Sequence, residues 1–359
     1  MLRKIGIGLL ALLVGGAIIL VLAQRQIGQA LFTNAVERNA GVDQTAGWDD
    51  GLYAIVCGSG SPMPDAQRAG PCIAVIAGKR AFVFDAGSGS IRKLQRTGFP
   101  MDRLDAAFLT HLHSDHIDGL GELMLQAWMA GGRDRPLPIY GPPGTDTVID
   151  GFTQAYAIDR GYRIAHHGPG VARPGGFGGE ARIIGKDGSN AFTRPIYNAD
   201  GVTIRAIAVD HAPVDHSYAF RIEYAGRAIV ISGDTKRSDA LASFARGADV
   251  IFHEALNPDM VGQLGQVLAD RGNADAAKIM ADIPDYHTTP AEAAKVAETA
   301  GSKALVLYHL VPAPPVALIG SAFLGDARTY YKGRLELAED GMLVRLPAGS
   351  DTIEIDSLL

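Results

Sequence analysis

Cysteine is scarce in this chain, with two among 359 residues, and that excludes a scaffold held together by a network of disulfides. Positive charge is not gathered either. Lysine and arginine total 33 against 39 acidic residues, the formal net charge is -6, and no long basic run occurs. Non-specific nucleic-acid affinity comes from clustered lysine and arginine, so this balance disfavours a dedicated polyanion binder. No short-period repeat is visible. What the chain has is hydrophobic mass, 47% of its residues, enough to bury a large core without any covalent staple. The length admits two domains or one large α/β sandwich, and a single domain is expected.

The two cysteines flank one connection. Cys57 ends the strand-like run from Leu52, and Cys72 opens the run to Ala77, a pair of segments able to form a hairpin. A disulfide and two buried thiols both fit this placement. At the N-terminus, Leu2-Arg3-Lys4 precedes Ile5 to Ala23, an uncharged apolar stretch long enough for one helical pass through a bilayer. Arg3 and Lys4 would hold the N-terminus in the cytoplasm and leave the rest of the chain on the periplasmic side. Val21-Leu22-Ala23 also suits a signal peptidase, which would release the body as a secreted protein. The stretch exceeds the usual signal-peptide core of about 7 to 15 residues, which favours the anchor. Residues 1–23 are thus expected as a transmembrane anchor or signal, 24–50 as a linker and 51–359 as the functional domain.

Along the body, strand-like runs alternate with helical ones. Gly58-Ser-Gly-Ser-Pro62 reads as a turn, Arg80 to Phe84 and Leu104 to Thr110 as strands, and Gly121 to Ala130 and Gly144 to Arg160 as helices. Gly161 to Asn190 is so rich in glycine that a long surface excursion is expected, with His166 and His167 at its start as surface residues or substrate contacts. Antiparallel strands follow at Gly201 to Val209, Ser217 to Tyr224 and Arg227 to Ile231, the last two joined by Ala225-Gly226. Further on, Thr289, Pro290 and Glu292 mark a helix start with a capping box. Strands followed by helices, done twice, fit a four-layer αββα sandwich whose loops meet along one edge.

The densest chemistry lies in Thr110-His-Leu-His-Ser-Asp-His116, continued by Asp118, just past the Leu104 strand. Alternation along the strand end lets His111 and His113 reach one ion, while the following turn swings Asp115 and His116 toward a second. Three more candidate ligands stand at strand ends: His211, Asp234 and His309.

His-x-His-x-Asp-His after a strand resembles the signature of the metallo-β-lactamase superfamily, and the resemblance runs from about Leu52 to Leu346. It implies an α/β fold of αββα layers and two zinc ions per chain. His111, His113 and His211 would hold one, Asp115, His116 and His309 the other, and Asp234 would bridge both. His216 competes with His211, which the local pattern favours. Asp85 matches the family's first motif and would brace the histidine loop; capping the helix after Ser88 is the alternative. His253-Glu254-Ala255 and His287-Thr288-Thr289 resemble elements of the ribonuclease Z and arylsulfatase-like branch. That branch implies His287 as general acid, Glu254 as its partner, and a water held between the ions as nucleophile, aligned at Asp115.

Departures from the family matter too. Members with β-lactamase activity commonly carry a cysteine where Asp234 stands. The tRNA-processing enzymes insert a basic arm between the third and fourth motifs, and the interval from His211 to Asp234 leaves no room for one. The resulting expectation is a hydrolase of small phosphodiester or aryl sulfate esters, with folded nucleic acid excluded and a homodimer admitted. A lactonase or β-lactam hydrolase and a non-catalytic metal-binding protein are the alternatives.

Overall fold

A computed structural model of the chain describes residues 2–185 and 194–359, without the side chains of 2–7, 9–13, 17–19 and 39. It divides into two units, Met1–Ala46 and Gly47–Leu359. In the first, Leu2–Asn39 is one helix of 38 residues, so the expected boundary between anchor and linker does not interrupt it. No helix among the described residues is long and apolar enough to cross a membrane, and the expected anchor gains no support from the structure. The side chains of much of Ile5 to Ala23 lie outside the described residues.

The second unit is built on fifteen described strands. In chain order they are β1 (Gly51–Gly58), β2 (Cys72–Ala77), β3 (Arg80–Phe84), β4 (Leu104–Phe108), β5 (Leu137–Gly141) and β6 (Gly179–Ile183). Then come β7 (Tyr197–Ala199), β8 (Val202–His211), β9 (Val214–Tyr224), β10 (Arg227–Ile231), β11 (Val250–Leu256), β12 (Ala304–Val311) and β13 (Arg334–Leu337). The last are β14 (Met342–Pro347) and β15 (Glu354–Ser357). One sheet has the order β15-β14-β1-β2-β3-β4-β5-β6 and the other β13-β12-β11-β10-β9-β8-β7.

Alternation along the strands makes four layers of this. Leu52, Ala54 and Val56 of β1 join Phe84, Phe108, Phe220 and Val306 in a core between the sheets. Tyr53 and Ile55 point the other way, onto Ile91, Leu94, Leu123 and Ala127 from the helices Ser90–Arg96 and Leu120–Met129. On the far side, Ile251 and Leu305 meet Leu241, Val296 and Phe323 of three further helices. Both faces of each sheet are therefore covered, and the loops at the strand ends are left free for chemistry. The helix Pro290–Ala300 starts as the sequence indicates: Thr289 and Glu292 form a reciprocal capping box, and Gly301 closes it at φ 63°.

Two expectations fail. The run from Gly144 to Arg160 is not one helix but two, Thr145–Ala155 and Ala157–His167, and so reaches into the stretch expected as a loop. That stretch is also packed: Ala172 and Phe177 bury against Trp128, and β6 pairs with β5. Two of its glycines serve close approach. A Cβ at Gly176 would lie 1.9 Å from the Arg133 carbonyl oxygen, and one at Gly179 would lie 2.5 Å from Ile139. The rest of the stretch, 186–190, lies outside the described residues.

Cys57 and Cys72 form a disulfide across β1 and β2, with a sequence separation of 15. Chain entropy for a loop of that length gives about 3 kcal/mol. Replacing both cysteines with alanine should therefore lower the unfolding free energy by about 2–4 kcal/mol in a denaturant titration and leave the fold intact.

Candidate metal centre

The topology collects chemistry at one edge. β4 delivers His111 and His113, the turn Ser114–Ile117 delivers Asp115 and His116, β8 ends on His211, Asp234 follows β10, and β12 carries His309. Among the described residues these form two adjoining groups able to hold a metal ion: His111, His113, His211 and Asp234, and Asp115, His116 and His309. The Asp234 carboxylate is the common member in distance. Its Oδ2 lies 3.9 Å from His111, 4.0 Å from His211, 3.4 Å from His116 and 3.3 Å from His309, always at Nε2. Asp115 Oδ2 lies 3.2 Å from His309 Nε2 and 3.6 Å from His116 Nε2.

The donor set fits zinc. A tetrahedral ion with Zn–N bonds of about 2.0–2.1 Å sets its nitrogens about 3.3 Å apart. Here His113 Nδ1 lies 2.9 Å from His111 Nε2 and 3.4 Å from His211 Nε2. Two buried atoms of these groups, His116 Nε2 and Asp234 Oδ1, have no hydrogen-bond partner in the protein, a state that costs free energy unless something binds them.

Electrostatics separate the groups. Burial drives the His111 imidazole well below its ordinary pKa, with His116 adding to it, and burial likewise lowers His113 and His211. These rings are neutral ligands at neutral pH. For His116, burial is outweighed by Asp234 and Asp85, which raise it well above its ordinary value, and Asp234 raises His309 against burial in the same way. Asp234 is held well below the carboxylate range against burial, chiefly by His309 and His116. Without metal, the second group is thus a buried ion-pair cluster in which protons hold the place of a cation.

Surrounding groups aim the ligands. Asp85, at φ 56°, accepts from the Thr110 backbone N–H at 2.8 Å and the Thr110 hydroxyl at 2.8 Å, and it pairs with His116 Nδ1 at 2.9 Å. It braces the histidine loop and caps no helix, since Gly89 occupies the cap position. The His211 Nδ1 lies 2.9 Å from the Tyr286 carbonyl oxygen, so an Nδ1–H donated there leaves Nε2 free for an ion. His309 is the extra residue of a bulge in β12, at φ 46°, and the kink carries its ring into the site. His216 is exposed and takes no part in either group.

His287 follows the turn Ile283–Tyr286 and stands beside both groups, its ring centroid 5.3 Å from that of His211 and 5.7 Å from that of His309. Its Nδ1 is 3.3 Å from Glu254 Oε1, which also accepts from the Thr288 backbone N–H at 2.8 Å. Burial lowers this imidazole, but the Glu254 carboxylate overrides it and pushes it up to about 9 in the metal-free chain. His166 and His167 end the helix Ala157–His167, exposed and outside both groups. Sequence reading missed Thr110, Tyr286 and Thr288 as supports, because backbone acceptors and short hydroxyls leave no motif.

The family model of the beta-lactamase superfamily domain matches residues 80–310, more than half of the chain. Ribonuclease Z of Mycobacterium bovis (strain BCG / Pasteur 1173P2) is 38% identical over 296 residues, which cover 80% of this chain and 96% of that protein. The chain belongs to the metallo-β-lactamase superfamily, on its ribonuclease Z branch. Ribonuclease Z of Mycolicibacterium paratuberculosis is 36% identical over 301 residues, 83% of this chain and all of that one. Among solved structures, the metallo-beta-lactamase fold protein YhfI from Bacillus subtilis superposes with a TM-score of 0.57 at 23% identity, covering 82% of this chain and 100% of that one. Human tRNase Z, short form, gives 0.56 at 21%, covering 82% and 99%. These two establish the shared fold. The superfamily member described here is a metal-dependent hydrolase.

The relatives' name also overturns one expectation, that of a small-molecule ester substrate with folded nucleic acid excluded. That expectation rested on the net charge and on the interval from His211 to Asp234, which leaves no room for a basic arm, and neither describes a local field. A net charge of -6 sums the whole chain, whereas a phosphodiester meets the local field of one edge.

Proposed function

We propose that the chain is a zinc-dependent phosphodiesterase that cleaves RNA. The observation that carries this reading is the His287–Glu254 pair beside two adjoining ligand groups, in a chain aligned with nearly the full length of a ribonuclease Z. His111, His113 and His211 would hold one ion and Asp115, His116 and His309 the other, with Asp234 in reach of both. Two bound zinc ions would neutralise phosphate charge and make a water acidic enough to attack phosphorus at neutral pH. Asp115 faces that space and would orient the attacking water. His287, kept protonated by Glu254, lends its proton to the departing ribose oxygen; cations nearby would bring its pKa down toward the neutral range, where donation is efficient. A cavity of about 360 Å³ opens beside Asp115, walled by Ser61, Met63, Arg68 and Asp118, and gives an RNA residue room next to the reacting group.

A panel tests this: defined RNA and DNA oligonucleotides, an aryl sulfate, a lactone and a β-lactam, each with zinc-loaded and zinc-free protein. RNA should be the preferred substrate and only the loaded protein should cut it. Preference for the lactone or β-lactam would move the chain to carbonyl chemistry, and preference for the aryl sulfate would move it to sulfate esters.

The location proposed is the periplasmic side, through Arg3, Lys4 and the uncharged run Ile5 to Ala23. The Cys57–Cys72 disulfide is independent support, since such bonds persist in oxidising compartments. Protease added to spheroplasts should then digest the body, and protection of the body would contradict the location.

A further inference from the structure

Asp340 lies in the turn between β13 and β14, away from both ligand groups, yet four donors converge on its carboxylate. Ser59 gives it a backbone N–H at 2.9 Å and a hydroxyl at 2.8 Å, Ala69 a backbone N–H at 2.7 Å, and Lys93 an ammonium at 3.2 Å. The side chain is 4% exposed. So buried a charge, so fully matched, fixes whatever holds it. What it fixes is the loop between the two cysteines. Arg68 closes the same knot, reaching the Ser59 hydroxyl at 2.7 Å and the Ala338 carbonyl oxygen at 2.5 Å.

Ser59 then acts across the sandwich. Its carbonyl oxygen accepts from the Leu310 backbone N–H at 3.1 Å, a bond from the end of β1 in one sheet to β12 in the other. Leu310 follows the bulge residue His309. Tyr308 pairs with Glu254 and Leu310 with Ala255, so His309 is squeezed out of register at φ 46°. A histidine at positive φ is strained and persists only where its neighbours fix it. The acceptor for the residue that follows the kink is one such restraint.

We propose that Asp340 is a positioning residue for the second metal group: it bolts Ser59, Ser59 holds Leu310, and the kink that aims His309 depends on that bond. Without the carboxylate the loop loosens and β12 relaxes toward regular pairing. His309 then withdraws from Asp115 and Asp234, while His111, His113 and His211, on other strands, keep their places. This inference rests on the two-ion reading of the centre and not on RNA as substrate.

Zinc binding tests it, read on the full-length chain by competition with a chromogenic chelator. The wild type should take two ions; a wild type that takes one overturns the two-ion reading and this inference with it. Asp340→Ala should weaken one of the two by about 10- to 100-fold and leave the other unchanged. Its isotherm should shift toward that of His309→Ala and not toward that of His113→Ala. Asp340→Asn keeps the oxygen that accepts from Ser59 but sets an NH2 against Ala69 N–H and Lys93, and should restore part of the loss. Equal weakening of both ions, no weakening, or an asparagine variant as poor as the alanine one would each overturn the proposal, whatever the outcome with RNA. If Asp340→Ala fails to fold, Ser59→Ala decides, since it removes one bond to the carboxylate and keeps the carbonyl: a smaller loss confined to the His309 ion supports the bolt, and none or an equal loss overturns it.

Discussion

Replacing Asp234 with alanine should lower hydrolysis by at least about a thousandfold, because it removes the carboxylate that lies near both ligand groups and with it the joint action of the ions. Steady-state kinetics on zinc-reconstituted protein, with metal content measured in the same samples, checks this. The fold should survive, since the cores between the sheets and under the helices do not include this residue. Stability of the zinc-free chain should show a pH signature. Asp234 is held below its unfolded value, so its contribution is present above about pH 3.9 and lost as pH falls from there. His116 and His309 are raised, so theirs is full below about pH 6.5 and is lost as pH rises through their folded values. The deficit of Asp234→Ala relative to wild type should therefore be larger near pH 5 to 6 than at alkaline pH. A deficit that grows with pH would mean the cluster is not held by these charges.

His287→Ala should slow RNA cleavage by about 100- to 10,000-fold, the usual worth of a placed general acid. A ribose oxygen is a poor leaving group and needs the proton, whereas a nitrophenolate leaves without one. The same variant should therefore lose little on an activated aryl phosphodiester. Glu254→Gln should show a weaker version of that split, because Glu254 Oε1 is what holds the ring charged. Equal losses on both substrates would remove the general-acid role and leave His287 as a wall of the site.

The two candidate ligand groups were legible because chemistry at strand ends writes itself into short motifs: four of the seven residues stand between His111 and His116, and the others each close an apolar run. The layered fold was legible for a related reason, since strands covered on both faces read as continuous apolar segments. Legibility failed where distance in sequence or small side chains hid the contact. Asp340 meets Ser59 across most of the chain, and no local pattern links them. The glycines near Gly176 look like a linker in sequence, yet they let backbone and ring approach too closely for any side chain. The helix Pro258–Asp270 was within reach of the sequence, since Asn257 caps it, proline sits at its first turn and Met260, Val261, Leu264 and Leu268 recur at helical spacing. The substrate expectation fails because neither the net charge nor the lack of one inserted arm says where charge sits in the fold.

Cleavage of a defined RNA by the zinc-reconstituted chain, in water enriched in oxygen-18, bears most directly on whether this is an RNA phosphodiesterase that uses water. The RNA should be cut only by zinc-loaded protein, one heavy oxygen should appear on the newly freed phosphate, and a 2′-deoxy sugar at the cut should not prevent the reaction. An RNA left intact by fully loaded protein, or cut with no solvent oxygen incorporated, would contradict it.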